Sequence, residues 1–306
     1  MTLKTDARGS RKGPAPKPGL WARYRLFLQR SGMTPQASTY FSLGIAIAGV
    51  ALTLGPILYL ILGGFKDLHQ FASNPAGLPN PFVFKNYSGI LGKGLFWQQL
   101  GNSAVVALVT TAGVVTLGTM AAYPLARYHF KGREVLYIVF VTGLMFPLTV
   151  AILPLYLMIH DMGLVGNVFG LILPQVAFAL PVTIIIMRPF VAALPKELEE
   201  AAFIDGVTRV GYFWRILLPL ARPGMVTVGV LAFIGSWNSY LLPLLLLQGD
   251  PSHMTLPLGV TVFRGQHASD TTAIMAYTSL SMVPALIFFI FMERRIVEGL
   301  TGAVKG

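Results

Sequence analysis

The sequence predicts an all-α, polytopic membrane protein with six transmembrane helices and both termini cytoplasmic. Three observations predict it. Hydrophobic residues make up 54% of the 306 residues and charged residues only 11%, where a soluble domain carries about 25% charged residues. Six long stretches are almost free of Asp, Glu, Lys and Arg. The Lys and Arg residues that remain fall overwhelmingly on one side of those stretches, as in cytoplasmic loops. Mean hydropathy is +0.66. A disordered chain is excluded, because such chains are polar and poor in aromatics, and a disulfide scaffold is excluded because there is no cysteine.

The apolar stretches run Phe41–Phe65, Asn102–Tyr128 (charged only at Arg127), Val135–Ile159, Asn167–Met187, Gly224–Gln248 and Thr272–Met292. Each reaches or exceeds the ~20 residues needed to cross a ~30 Å hydrocarbon core. Backbone polar groups in that core need internal partners, so each stretch is expected to be a helix. A barrel would show short alternating segments instead. The first stretch has no small-residue cleavage site after it and reads as an uncleaved anchor. With the N-terminus inside, 19 of the 23 Lys and Arg lie inside and 4 outside. This places the protein in the cell membrane as a multi-pass protein.

The net charge of +11 invites a nucleic-acid partner. Its location argues against one. Residues 1–40 hold eight bases and one acid (Asp6), all before the first apolar stretch. They read as a basic, disordered tail at the inner leaflet, leaving 41–306 as the permeation domain. Every stretch carries proline, among them Pro56, Pro124, Pro147, Pro154, Pro174, Pro181, Pro243 and Pro284. Two readings stand side by side: ordinary membrane-helix usage, or bent helices around a path that opens and closes.

No acid or base sits in the middle of a stretch. Intramembrane charge marks proton relays and ion sites, so an ion-coupled carrier is disfavoured and a neutral, polar solute fits better. No inverted repeat is visible. No G-x-x-x-x-G-K-[ST] phosphate loop, no Cys/His metal set and no Ser/His/Asp nucleophile arrangement occurs. The chain therefore reads as non-catalytic, with no metal site and no cofactor of its own. If it drives transport, the energy comes from another chain.

The inside segment 188–223 holds four of the twelve acids, against the trend of a positive loop. Pro195 suits a first helical position, and Glu197, Glu199 and Glu200 follow where the helix dipole favours carboxylates. Gly206 suits a left-handed helix end. Thr208 suits the cap of a second helix, which carries Tyr212, Phe213, Trp214 and Ile216 and is expected to stop at Pro219. A short acidic helix with an apolar face suits a groove on a cytoplasmic protein. A solvated or membrane-surface loop is the alternative.

The order Glu-Ala-Ala, three residues, Gly, nine residues, Ile-x-Leu-Pro resembles the EAA motif of binding-protein-dependent ABC importer permeases. Glu200, Ala201, Ala202, Gly206, Ile216, Leu218 and Pro219 match it, and Asp205 matches its extended form. The resemblance runs from about residue 45 to the end. Asn86-Tyr87, Asn102-Ser103, the run Ala121–Arg127, Pro154-Leu155-Tyr156 and Trp237-Asn238-Ser239-Tyr240 resemble the carbohydrate-uptake subfamily. The ending Val297–Gly306 resembles the maltose-type second permease subunit. Ser239 stands where an acid is frequent, and the ending is one alanine short of the commoner form.

This resemblance implies a type I importer fold in which the matched segment couples to a separate ATPase. It implies a second permease subunit as heterodimer partner, two ATPase subunits that use ATP and Mg2+, an extracytoplasmic solute-binding protein and a sugar substrate. It also implies that the outer loop 249–271, otherwise simply a wet loop, reaches toward the binding protein.

For the substrate path the sequence offers neutral polar and aromatic groups in the third and fifth stretches, Thr149, Tyr156, Ser236, Trp237, Asn238, Ser239 and Tyr240, with Tyr156, Trp237, Asn238 and Tyr240 as the chief candidates. Steps of roughly 100° per residue spread the last three over different faces, so at most two can line one cavity. Helix–helix packing is the alternative reading for each. The rivals to a sugar permease are an ABC permease for amino acids or phosphate, an ion-coupled carrier acting alone, and a membrane-embedded enzyme or scaffold.

Overall fold

The computed structural model describes residues 35–247, 249–263 and 270–304, and no strand occurs among them. Most of the basic tail expected over 1–40 therefore lies outside the described residues. The chain divides into two compact units, Met1–Leu58 and Tyr59–Gly306. In the first, the described residues form the opening of a single helix, α1 (Pro35–Gly64), which keeps Pro56 in its interior.

The second unit begins with the end of α1 and two short helices, α2 (Leu68–Ser73) and α3 (Lys85–Leu91). The longer elements are α4 (Gly94–Arg127), α5 (Arg133–Gly143), α6 (Leu148–Asp161) and α7 (Val168–Ala192). A cluster of short ones follows: α8 (Glu197–Ile204), α9 (Arg209–Tyr212), a π turn Phe213–Leu217 and α10 (Leu218–Leu220). Then come α11 (Arg222–Trp237), α12 (Leu241–Leu246), α13 (Leu256–Gly259) and α14 (Thr271–Val304).

Among the described residues four helices are long and apolar enough to cross a membrane, and six if each of two bent pairs counts as one span. The continuous four are the expected first, second, fourth and sixth stretches. Their ends differ from expectation where local chemistry acts. The second stretch starts at Gly94 rather than Asn102. The fourth starts where Asn167 caps it, accepting from the Phe169 N–H at 2.9 Å, and runs on to Ala192 through Pro189.

The third and fifth stretches are broken, contrary to the expectation of one helix each. α5 and α6 meet at 99° across Leu144–Pro147. Pro147 is extended (φ −70°, ψ 130°) and caps α6, and proline biases the residue before it away from the helical region. The fifth stretch ends as a helix at Trp237 and resumes only at Leu241. Pro243 has no N–H to give to the Ser239 carbonyl, so one ladder bond is missing at this break.

α4 is the axis of this unit. It packs against both α7 and α11, and α11 packs in turn against α14. The α4–α7 approach is close because Gly118 has no side chain: a Cβ there would sit 2.3 Å from Thr183 Cγ2. Three buried clusters follow the axis. One joins Phe96 and Ala107 of α4 to Phe233, Trp237 and Tyr277. A second joins Val106 to Ile159, Leu171 and Leu246. The third joins Ala122 and Tyr123 at the end of α4 to Met187, Ala202, Tyr212 and Leu217.

The loop expected to be simply wet is tied down instead. Gln99 donates to the Pro251 carbonyl at 2.9 Å, and Asn102 to the carbonyls of Ser252 and Met254 at 2.7 and 3.0 Å. Ser103 Oγ accepts from the Leu256 N–H at 2.7 Å, and Tyr277 donates to Gln99. Leu256 and Leu258 are fully buried. Residues 264–269 of this loop lie outside the description.

Candidate functional site

The segment between α7 and α11 folds as a helix, a glycine turn and a second helix, as its residues predict. α8 starts at Glu197, with Lys196 as cap and Pro195 just outside. Pro195 is thus not the first helical residue, although its fixed φ still suits the entry. Glu197, Glu199 and Glu200 occupy the first turn. The helix ends in a Schellman motif: the Val207 N–H reaches the Ala202 carbonyl at 2.9 Å and the Gly206 N–H the Phe203 carbonyl at 3.1 Å. Gly206 holds φ +79°. Thr208 caps α9, accepting from the Gly211 N–H at 3.1 Å.

The second helix does not stop at Pro219. It runs through a π turn, in which the Leu218 N–H bonds the Phe213 carbonyl, and on to Leu220. It then bends by 78° into α11. Pro219 and Pro223, four apart, both lack donors, so the ladder on this face is interrupted on either side of Ala221.

α8 has two faces. Glu199 and Ala202 point inward and are buried. Glu200, Ala201, Asp205 and Gly206 are exposed, and Ile204 is 87% exposed. Of the remaining motif residues, Ile216 and Leu218 pack against the third cluster and Pro219 is exposed. The matched motif thus divides into an outward set on α8 and an inward set on the second helix.

Glu199 enters the sequence reading only as a first-turn acid, yet it is the best-held acid of the segment. Its Oε1 accepts from Tyr123 at 3.0 Å and Tyr128 at 3.3 Å, and its Oε2 lies 3.7 Å from Arg127 Nε. Arg127 also donates to the Leu194 carbonyl at 2.6 Å. Its side chain is 2% exposed, and among the described residues Glu199 is its one acidic partner. The sequence signal was Tyr123 and Arg127 at i, i+4 on one helix face.

A cavity of about 290 Å³ opens between α4, α6, α7 and α11. Its wall is mostly apolar, with Thr110, Gln175, Thr183, Ser236 and Ser239 as polar points and no charged side chain. Gln175 Oε1 accepts from Ser236 at 2.5 Å and from Thr110 at 3.3 Å. The four chief candidates for a substrate path are not brought together on this wall. Trp237 is buried and stacked on Phe233 at 5.7 Å. Tyr156 is half-buried against the second cluster, its ring 6.1 Å from His160. Asn238 and Tyr240 are exposed in the break after α11. A helix that stops at Trp237 does not carry the 100° register onward, so the spacing argument fails there. The polar points on the cavity are Ser236 and Ser239 of the same stretch, joined by Gln175 from the fourth.

The residues that resemble the carbohydrate-uptake subfamily serve mainly as ties. Asn86 donates to the carbonyls of Gly64 and Lys66 at 3.0 and 2.9 Å, and Tyr87 to that of Ile61 at 2.8 Å. Asn102 and Ser103 hold the loop at 252–256.

Comparisons with known proteins agree with this arrangement. The family described as binding-protein-dependent transport system inner membrane component matches residues 114–297. A trehalose transport system permease protein of Mycobacterium tuberculosis is 36% identical over 90% of this chain and 100% of its own length. A diacetylchitobiose uptake system permease protein of Streptomyces coelicolor is 35% identical over 80% of this chain and 82% of its own. In structure the chain is similar to a bacterial ABC transporter involved in import of the acidic polysaccharide alginate. That match has a TM-score of 0.71 at 22% identity, over 86% of this chain and 98% of that one. By its match over more than half its length, and by relatives alike along nearly all of theirs, this chain belongs to the family of inner-membrane components of binding-protein-dependent transport systems.

Proposed function

We propose that this chain is the transmembrane permease subunit of an ABC-type sugar importer. It forms part of the solute path and couples to a separate ATPase. The observation that carries the coupling role is the outward face of α8. Glu200, Ala201 and the largely exposed Ile204 stand on a short helix whose end is fixed by Gly206, between the bent entry to α11 and the end of α7. An exposed isoleucine beside acids and small residues suits a cleft on a cytoplasmic partner. The sugar assignment is supported by relatives named for trehalose and diacetylchitobiose uptake, and by a cavity whose polar points are amide and hydroxyls without charge.

In this reading the chain catalyses nothing. It pairs with a second permease, two ATPase subunits that hold ATP and Mg2+, and an extracytoplasmic solute-binding protein. Its N-terminus is cytoplasmic. ATPase closure displaces α8, and the bent pairs α5–α6 and α9–α11 supply the joints about which the spans reorient.

The chain has no cysteine, so Ile204→Cys creates a unique thiol. In the complex purified from its host, an oxidative or short bifunctional crosslink from position 204 to an ATPase subunit is expected. Proteoliposomes with the binding protein are expected to take up a disaccharide only with MgATP inside. No ATPase crosslink, or uptake by the chain alone, refutes the proposal.

A further inference from the structure

The inward face of α8 has its own chemistry, and none of it is used by the docking face. Glu199 is held from the last turn of α4 alone: two phenol hydroxyls donate to Oε1 and Arg127 stands against Oε2. The Tyr123 and Tyr128 hydroxyls also lie 2.5 Å apart; each has one proton, so while both donate to Glu199 this approach is a contact and not a third hydrogen bond. Arg127 grips the Leu194 carbonyl in the link between α7 and α8. The Arg209 guanidinium lies over the Tyr128 ring at 4.8 Å, bringing α9 to the same point. Tyr212 completes the wall and is fully buried. Apart from this carboxylate, α8 is attached among the described residues by its backbone links, by Ala202 in the third cluster and by Phe203, whose ring meets that of Tyr212 edge-on at 6.0 Å.

We propose that Glu199 is a positioning residue of the transport cycle. It pins the docking helix to the end of α4, so that displacement of α8 is delivered to α4. Without the pin, that displacement is absorbed in the flanking turns at 193–196 and 205–207. The proposal rests on the coupling role of α8.

The test uses the full complex, with Ile204→Cys present in every variant to report ATPase contact. In Glu199→Ala the crosslink is retained and ATP hydrolysis continues, while solute carried per ATP falls about tenfold, since a buried Arg127 is left without its acid. In Arg127→Gln/Glu199→Gln both charges are gone, and transport per ATP returns to within about threefold of the parent. A merely structural role lowers hydrolysis and uptake together and leaves their ratio unchanged. Should Glu199→Ala fail to insert, Tyr123→Phe/Tyr128→Phe removes both hydroxyl donors at nearly constant volume, and a lowered ratio is again expected. An unchanged ratio with the crosslink intact overturns the role of Glu199 alone. Loss of the crosslink in the parent complex overturns the coupling role, and the pin with it.

Discussion

Replacing Gly206 separates the backbone geometry of the docking segment from its contacts. Gly206 holds φ +79°, and a Cβ built there meets nothing within 4 Å. Gly206→Ala therefore tests conformation alone, at about 1–2 kcal/mol for a left-handed residue with a Cβ. Gly206→Asn costs less, because a short polar side chain visits that region more readily. Gly206→Pro forces φ to about −65° and costs about 3 kcal/mol or more. That figure includes loss of the N–H that reaches the Phe203 carbonyl at 3.1 Å. About 3 kcal/mol or more against the Schellman turn leaves it unformed, and α8 then leaves its seat without any change to its docking face. The assay is solute taken up per ATP hydrolysed in proteoliposomes, with membrane insertion checked separately. The expected order is parent, Asn, Ala, Pro, with Pro uncoupled. Wild-type coupling in Gly206→Pro, or equal damage from Ala and Pro, refutes the argument.

Glu200→Lys reverses an exposed charge on α8, and is expected to abolish uptake while insertion and thermal stability stay at parent values; unchanged transport removes Glu200 from the docking face. Gly118→Val places a Cβ 2.3 Å from Thr183 Cγ2, and about 1–3 kcal/mol of overpacking is expected as a lowered Tm of the purified complex.

Much of the architecture follows from properties that each segment carries by itself. Charge-free length predicts α1, α4, α7 and α14. Gly206 and Thr208 predict the helix–turn–helix because left-handed backbone and capping are local demands. The breaks in the third and fifth stretches were less legible. Proline announces that a ladder bond is missing, but whether the helix runs on through Pro174 and Pro181 or parts at Pro147 and Pro243 depends on what packs beside it. Glu199 was invisible for the same reason. Nothing near it in sequence says that Tyr123 and Arg127 arrive some seventy positions away in the chain. The cavity wall needed tertiary structure as well: Gln175 sits in an otherwise apolar stretch, and only folding sets its amide against Ser236 and Thr110.

Gln99, Asn102 and Ser103 bind the loop at 251–256 near one end of α4, and Arg127 with Tyr123 grips the acid of α8 at the other. The 28 residue-to-residue steps from Gln99 to Arg127 span roughly 42 Å at about 1.5 Å each. A single rod thus has a handle at both tips. A displacement of the loop at Pro251 and one at Glu199 are therefore borne by the same helix.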